Sequence, residues 1–370
     1  MYPALTVIET LLDPGAGQAA MPALKPQDLL WVGSRGGMEQ DLVGRAGIEF
    51  EGLPAGGIRG MGLLTGMRNS LHILKSVGTA RRILAQFGTD VVLITGGYAS
   101  VSVGLAAWLK RVPIVIYLPD IVPGMAISYL SRLATRVAVT SEESYRFFSR
   151  DKVVVTGYPV RAEVYTLSRQ EARQALGLEQ DVKTLLVFGG SRGARSINRA
   201  VVSGLRELLP KCQVVHVTGQ LDASWVTGAA KSLPEDLQAR YHQFDYLHDM
   251  PRALVAADLV VARAGAATLG EFPAAGLPAL LVPYPHSGQH QLPNATYMAR
   301  SGAAEVLPDA ALDEDLVPRV SALLEDEAKL DGMRQSARAM ARSDAAEMIA
   351  ELLWTVRRQR SSRDPAGGVA

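Results

Sequence analysis

Residues 257–294 constrain the chain most: two short apolar runs flank a turn of small residues. Leu259-Val260-Val261 and Leu280-Leu281-Val282 have the length and composition of strands. Between them stand Arg263-Ala264-Gly265-Ala266-Ala267-Thr268 and a helix-length stretch containing Glu271. Strand, glycine turn, helix and strand make the repeating unit of a parallel sheet. A turn that leaves a strand's carboxyl end and opens a helix offers unpaired N–H groups and the positive helix end, which suits a phosphate. A carboxylate early in that helix can accept hydrogen bonds from a ribose diol. The polar residues His290, Gln291 and Asn294 follow the second strand. The same residues also suit a plain βαβ unit whose glycines only make turns, and this stretch alone leaves both readings open.

The pattern recurs. Apolar runs at 29–32, 91–94 and 184–188 each end in a Gly-rich turn: Gly33-Ser34-Arg35-Gly36-Gly37, Thr95-Gly96-Gly97 and Gly189-Gly190-Ser191-Arg192-Gly193. Further strands are expected at 50–53, 114–118, 136–139, 153–156 and 213–217. Helices are expected at 3–12, 38–46, 68–87, 101–109, 125–133, 141–149 and 168–176, and at three stretches from 313 to 358. Gly157-Tyr158-Pro159-Val160-Arg161 breaks the series and reads as a hinge. The expected domains are 1–157 and 158–343, with a helix at 344–358 returning to the first domain and a disordered tail at 359–370.

The totals narrow the function. A net charge of +1 gives no field for nucleic acid. One cysteine, Cys212, excludes an intrachain disulfide and a multi-cysteine metal site. No apolar run is long enough to span a bilayer. The helix at 68–87 mixes apolar and basic residues, which suits either an anionic membrane surface or a core helix with a solvated face. Asp313-Glu314-Asp315 reads as a helix start, not a metal motif.

Several residues keep two readings. Gly189-x-Ser191-x-Gly193 fits a phosphate loop, and it also has the spacing of a hydrolase nucleophile elbow, though no clear acid and histidine pairing follows it. Asp120 follows the run at 114–118, where α/β folds place ligands, but an aspartate there also caps turns. His216 lies in an apolar strand and reads as a satisfied core residue before a catalyst.

Together these stretches resemble glycosyltransferase family 28. The similarity rests on Thr95-Gly96-Gly97-Tyr98-Ala99-Ser100, Gly157-Tyr158-Pro159-Val160-Arg161, Phe188 through Asn198, Ala257 through Glu271, and Ala275 through Pro285 with His290, Gln291, Asn294 and Ala295. It implies a GT-B fold: two Rossmann-like α/β domains with parallel sheets facing across a cleft. It implies an inverting, metal-independent transferase of peptidoglycan synthesis, without a cofactor and peripheral to the cytoplasmic face of the bacterial membrane. The donor would be UDP-N-acetylglucosamine and the acceptor an undecaprenyl-linked muramyl-pentapeptide. Ser191 and Ala266, Ala267 and Thr268, with Leu269 and Gly270, would bind diphosphate and sugar. Leu247 would offer its backbone to uracil with Met250 beside it, Glu271 would take the ribose hydroxyls, Gln291 the sugar hydroxyls, and Arg161 would lie near the donor.

The departures from the family pattern lie on the acceptor side. The family opens with a strand and a Gly-Gly-Thr-Gly-Gly-His loop before its Pro-Ala helix. This sequence opens Met1-Tyr2-Pro3-Ala4, so the expectation is a start assigned at an internal methionine, with the first strand and loop missing. The family's His-Glu-Gln-Asn reads Tyr117-Leu118-Pro119-Asp120, and its Asn before Pro-Val-Arg reads Tyr158. Asp120 is then the nearest remaining candidate base. A relative with another lipid or glycan acceptor, or a catalytically impaired UDP-sugar-binding protein, stays open.

Overall fold

The computed structural model describes residues 1–15, 21–36, 39–53, 63–190, 193–285 and 290–363. The chain forms two compact units, Met1–Pro159 with Asp344–Ala370, and Val160–Ser343.

The first unit holds β1 (Leu30–Ser34), β2 (Glu49–Leu53), β3 (Val92–Ile94), β4 (Ile114–Leu118), β5 (Arg136–Val139) and β6 (Val153–Val155). Every pairing is parallel, but the strands fall into two sheets, β1-β2 and β3-β4-β5-β6. β4 is buried along its whole length, as its unbroken apolar run Ile-Val-Ile-Tyr-Leu requires of a strand covered on both faces. One face packs on the helix Tyr98–Leu109 through Val103, Ala106 and Ala107. The other lies under the helices Tyr2–Leu12 and Ala345–Arg363, through Val7, Leu11, Ile349 and Leu353.

That last helix continues to Arg363, so residues 359–363 of the expected disordered tail at 359–370 are helical, and the rest of that tail lies outside the described residues. Its polar end has anchors: Arg357 Nε donates to Asp90 Oδ2 at 2.8 Å, and Arg360 Nη1 to the Thr89 carbonyl at 2.8 Å. The expected helix at 141–149 is a 3-10 segment, Glu142–Phe147, capped by Ser141.

The second unit holds β7 (Thr184–Phe188), β8 (Gln213–Val217), β9 (Tyr241–Phe244), β10 (Leu259–Ala262), β11 (Ala279–Leu281) and β12 (Ala304–Val306). They form one parallel sheet in the order β12-β11-β10-β7-β8-β9. The sequence reading missed the two edges, and the reason is physical. β9 reads Tyr-His-Gln-Phe and is only half-buried, and β12 has three residues, so neither carries a central strand's apolar run. From β7 the chain steps outward to β8 and β9; from β10 it steps the other way to β11 and β12. The neighbours β7 and β10 therefore form the switch point where open α/β sheets leave a crevice at the strands' carboxyl ends.

Candidate functional site

Two loops meet at that switch point. The loop after β7 begins with Gly189, where a Cβ would come within 2.3 Å of the Ala194 nitrogen, so glycine lets the loop close on itself. Gly193 has φ of +75°, and a Cβ there would lie 2.4 Å from the Thr218 carbonyl oxygen. Gly190, with φ of +97°, faces open space. The loop leads into the helix Arg195–Leu208, whose N-cap, Ala194, supplies no side-chain hydrogen bond, so its first N–H groups are left for another acceptor. Ser191 lies outside the described residues.

The helix behind this loop is held by side chains the sequence reading left without roles. Asn198 is buried, and its Nδ2 donates to the Thr218 carbonyl at 2.8 Å and to Asp222 Oδ2 at 2.9 Å. Its Oδ1 is thereby left as acceptor for His216 Nε2 at 3.0 Å, and His216 Nδ1 takes the Tyr241 hydroxyl at 2.8 Å. Burial lowers the His216 pKa to about 3, against a smaller opposing effect of Asp222, so this ring is a neutral strut. The satisfied-core reading of His216 agrees with that placement.

The loop after β10 is fixed as firmly. Arg263 is 9% exposed and donates to the Val282 carbonyl at 3.2 Å, to Asp309, and to Ser196 Oγ at 2.7 Å. Ser196 in turn bonds Asp309 Oδ1 at 2.9 Å, so the two loops are tied across the switch point. Asn294, read from the sequence beside candidate ligand groups, is fully buried and donates to the Ala264 carbonyl at 3.1 Å. Arg195, Ser196 and Asn198 stand together in a quoted motif, but Asp222 and Asp309 lie too far along the chain to be paired with them from sequence.

The expected helix carrying Glu271 is two pieces, a 3-10 turn at Ala266–Leu269 and a short helix at Glu271–Ala275. Thr268 is buried, and its hydroxyl closes the turn on the Gly265 carbonyl at 2.7 Å; Leu269 and Gly270 are buried too. Those three can offer a ligand only backbone. Ala266 and Ala267 are partly exposed, and nothing stands within 4 Å of a Cβ on Gly265. Glu271 is half-buried in the first position of its helix; burial raises its carboxyl pKa, and Arg161 opposes the rise. Leu247 and Met250 are half-buried between β9 and the helix Met250–Ala256, beside an edge-to-face pair of Tyr246 and His248 at 4.7 Å. Gln291 opens the helix Gln291–Arg300, and its Oε1 accepts from the Tyr284 N–H at 2.8 Å, which leaves its amide NH₂ as the group suited to an outside hydroxyl. Among the described residues no three histidine, cysteine or carboxylate side chains cluster as a metal site.

In the first unit, Asp120 lies beyond β4 on a loop pinned from below. Thr140 Oγ1 donates within reach of the Leu118 and Pro119 carbonyls, at 3.2 and 3.0 Å, and Ser144 Oγ bonds the Ile121 carbonyl at 2.9 Å. Tyr117 is fully buried, and burial raises its pKa above the ordinary phenol value. Its ring meets that of Tyr158 edge-to-face at 6.5 Å. The two tyrosines that depart from the family pattern are thus partners in one apolar contact.

Two parallel α/β units, one with paired glycine loops at its switch point, define a two-domain α/β protein of the GT-B type. The chain belongs to glycosyltransferase family 28: residues 184–350 match the Glycosyltransferase family 28 C-terminal domain and residues 1–139 the Glycosyltransferase family 28 N-terminal domain. A relative from Roseiflexus sp. (strain RS-1) is 42% identical over 411 residues, covering 97% of this chain and 93% of its own. One from Desulfitobacterium hafniense (strain Y51) is 38% identical over 365 residues, with 94% of each chain covered. Both bear the name UDP-N-acetylglucosamine–N-acetylmuramyl-(pentapeptide) pyrophosphoryl-undecaprenol N-acetylglucosamine transferase. The crystal structure of Acinetobacter baumannii MurG superposes with a TM-score of 0.71 at 25% identity, covering 96% of this chain and 95% of that one. A UDP-GlcNAc 2-epimerase from Neisseria meningitidis shares the fold, with a TM-score of 0.63 at 14% identity and 95% and 96% coverage.

Proposed function

We propose that the chain transfers N-acetylglucosamine from UDP-N-acetylglucosamine to the muramyl 4-hydroxyl of an undecaprenyl-diphosphate-MurNAc-pentapeptide, with inversion at the anomeric carbon. The names of its relatives support this reading, and one structural observation carries the donor half. The loops after β7 and β10 are locked together through Arg263, Ser196 and Asp309, leaving two sets of backbone N–H groups at one switch point.

The donor's diphosphate lies on those N–H groups at the starts of the 195–208 helix and the 266–269 turn, with Ser191, Ala266, Ala267 and Thr268 around it. Uracil takes the Leu247 backbone, with Met250 packing beside it. Glu271 accepts from the ribose hydroxyls, Gln291 binds sugar hydroxyls, and Arg161 stands by the donor near Glu271. As the acceptor oxygen attacks, negative charge moves onto the UDP oxygen. Fixed N–H dipoles stabilise that charge without having to reorganise, which lowers the barrier. Asp120 is the assigned general base for the hydroxyl proton.

The acceptor is a lipid, and the first unit offers a surface for one. No helix of the described residues is long and apolar enough to cross a membrane. The helices Tyr98–Leu109 and Met125–Leu130 pack together and expose Trp108, Leu109, Met125 (89% exposed) and Tyr129, with the Arg132 guanidinium 5.7 Å from the Tyr129 ring centre. Aromatic and apolar tips beside basic groups suit the interface of an anionic bilayer. The protein would then work as a peripheral enzyme on the cytoplasmic face of the membrane.

A second reading, a different lipid or glycan acceptor, is favoured by the apolar Tyr117–Tyr158 contact where the family pattern is polar. A transfer assay with a short-chain lipid-linked muramyl-pentapeptide separates the two. UDP release that depends on this acceptor supports the first. Donor binding without release on this acceptor, but with release on another lipid-linked sugar, supports the second.

A further inference from the structure

The segment after β11 carries a large side chain that has no role in the donor site as described so far. It runs Val282-Pro283-Tyr284-Pro285. Val282 is fully buried; its N–H donates to the Ala262 carbonyl at 2.8 Å, and its carbonyl accepts from Arg263 Nη1 at 3.2 Å. Two residues on, Tyr284 stands between two prolines. Each proline fixes its own φ, and Pro285 also disfavours helical backbone at Tyr284, so this stretch has little freedom left to lose.

Two contacts place the tyrosine. Its N–H donates to Gln291 Oε1 at 2.8 Å. Its ring lies against the Arg263 guanidinium, whose carbon is 5.1 Å from the ring centre. Arg263 is the side chain that ties the loops after β7 and β10 together. Tyr284 therefore stands between the two glycine loops and Gln291. The guanidinium lies over one face of the ring, yet the residue is 44% exposed, which leaves ring surface for a ligand. A pyranose has the matching shape. Its edge is polar, and its C–H hydrogens carry slight positive charge, which suits the negative face of an aromatic ring. One side chain here can serve the face and its neighbour the edge.

We propose, on the donor reading above, that the Tyr284 ring is the platform on which the donor's pyranose lies by its C–H face, while Gln291, oriented by the Tyr284 N–H, takes hydroxyls at the edge. Arg263 and the two prolines hold the platform in place before the sugar arrives, so little side-chain entropy is lost on binding. Arg263 also links the sugar position to the diphosphate loops, because one guanidinium touches the ring and both loops.

The competing role for the ring is a cover over Arg263 and nothing more. Calorimetry on the full chain separates the two, with UDP and UDP-N-acetylglucosamine as ligands and Tyr284→Phe and Tyr284→Leu as variants. Both variants keep the backbone N–H that orients Gln291, and the side chain lies outside the core. The ratio of Kd for UDP-N-acetylglucosamine to Kd for UDP should rise about fivefold in Tyr284→Leu, roughly the worth of one aromatic contact, and should stay close to the parent's in Tyr284→Phe. Proton NMR of the bound donor gives a second readout. Ring current should shift the pyranose C–H resonances upfield with the parent and with Tyr284→Phe, and not with Tyr284→Leu. Equal weakening of both ligands in Tyr284→Leu, with the ratio unchanged, would overturn the proposal and leave the ring as a cover for Arg263. Unshifted pyranose resonances in the parent complex would overturn it too. A parent chain that binds UDP but fails either test loses the platform alone; one that binds neither ligand loses the donor reading and the platform together.

Discussion

Replacing Glu271 with glutamine should move stability and donor affinity in opposite directions. The side chain is half-buried, and burial raises its pKa despite Arg161. A raised carboxyl pKa means that folding favours the protonated form. Its favourable contribution to stability is complete below the unfolded-state value and is lost as pH rises through the higher folded-state value. At neutral pH the charge is therefore a burden on the fold, and Glu271→Gln should raise the melting temperature. Donor binding should go the other way. Hydrogen bonds to a charged group contribute about 1.5–3 kcal/mol, and glutamine keeps one acceptor, so a loss of about 1.5 kcal/mol, roughly tenfold in Kd, is expected. Calorimetry with UDP and with 2′-deoxy-UDP isolates the contact: the deoxy analogue should weaken binding to the parent chain and much less to the variant. The parent's UDP affinity should also fall as the medium is acidified through the raised pKa, while the variant's stays flat. Equal UDP affinities for the two proteins, or an equal deoxy penalty in both, would refute the assignment of Glu271 to the ribose.

Other consequences follow from the same geometry. Arg263→Leu removes the tie between the two loops and leaves Asp309 without its cation, so a loss of about 3 kcal/mol in chemical denaturation is expected, and a loss below ~1 kcal/mol would show that the tie is unimportant. Gly193→Ala forces a side chain into left-handed backbone against the Thr218 carbonyl, and should destabilise by about 3 kcal/mol in the same assay. Met125→Glu combined with Tyr129→Ser should reduce sedimentation with anionic vesicles several-fold while leaving UDP affinity unchanged; unaltered sedimentation would remove this face from the membrane reading.

The parallel α/β plan could be read from the chain because short apolar runs and glycine turns are local signals. β7, β8, β10 and β11 are buried strands whose runs Leu-Leu-Val and Leu-Val-Val announce themselves. β9 and β12 do not, since edge position relaxes the need for apolar residues. The glycine loops were legible as turns. Their division of labour was not, because whether Gly189 serves closure and Gly190 open space depends on where Ala194 returns. The supporting bonds were least visible. Ser196 meets Asp309, and Asn198 meets Asp222, across sequence gaps that no local pattern spans. Asn294 shows the converse: a polar residue beside a candidate ligand group holds a backbone carbonyl, which is as good a reason for an amide there.

The central claim is that UDP-N-acetylglucosamine binds at the switch point of the second unit. Hydrogen exchange of the full chain with and without this donor tests it most directly. The account predicts slowed exchange confined to the 189–197 loop and helix start, Leu247 and its neighbours, and the 265–271 turn. Protection elsewhere with none at the loops after β7 and β10 would contradict it.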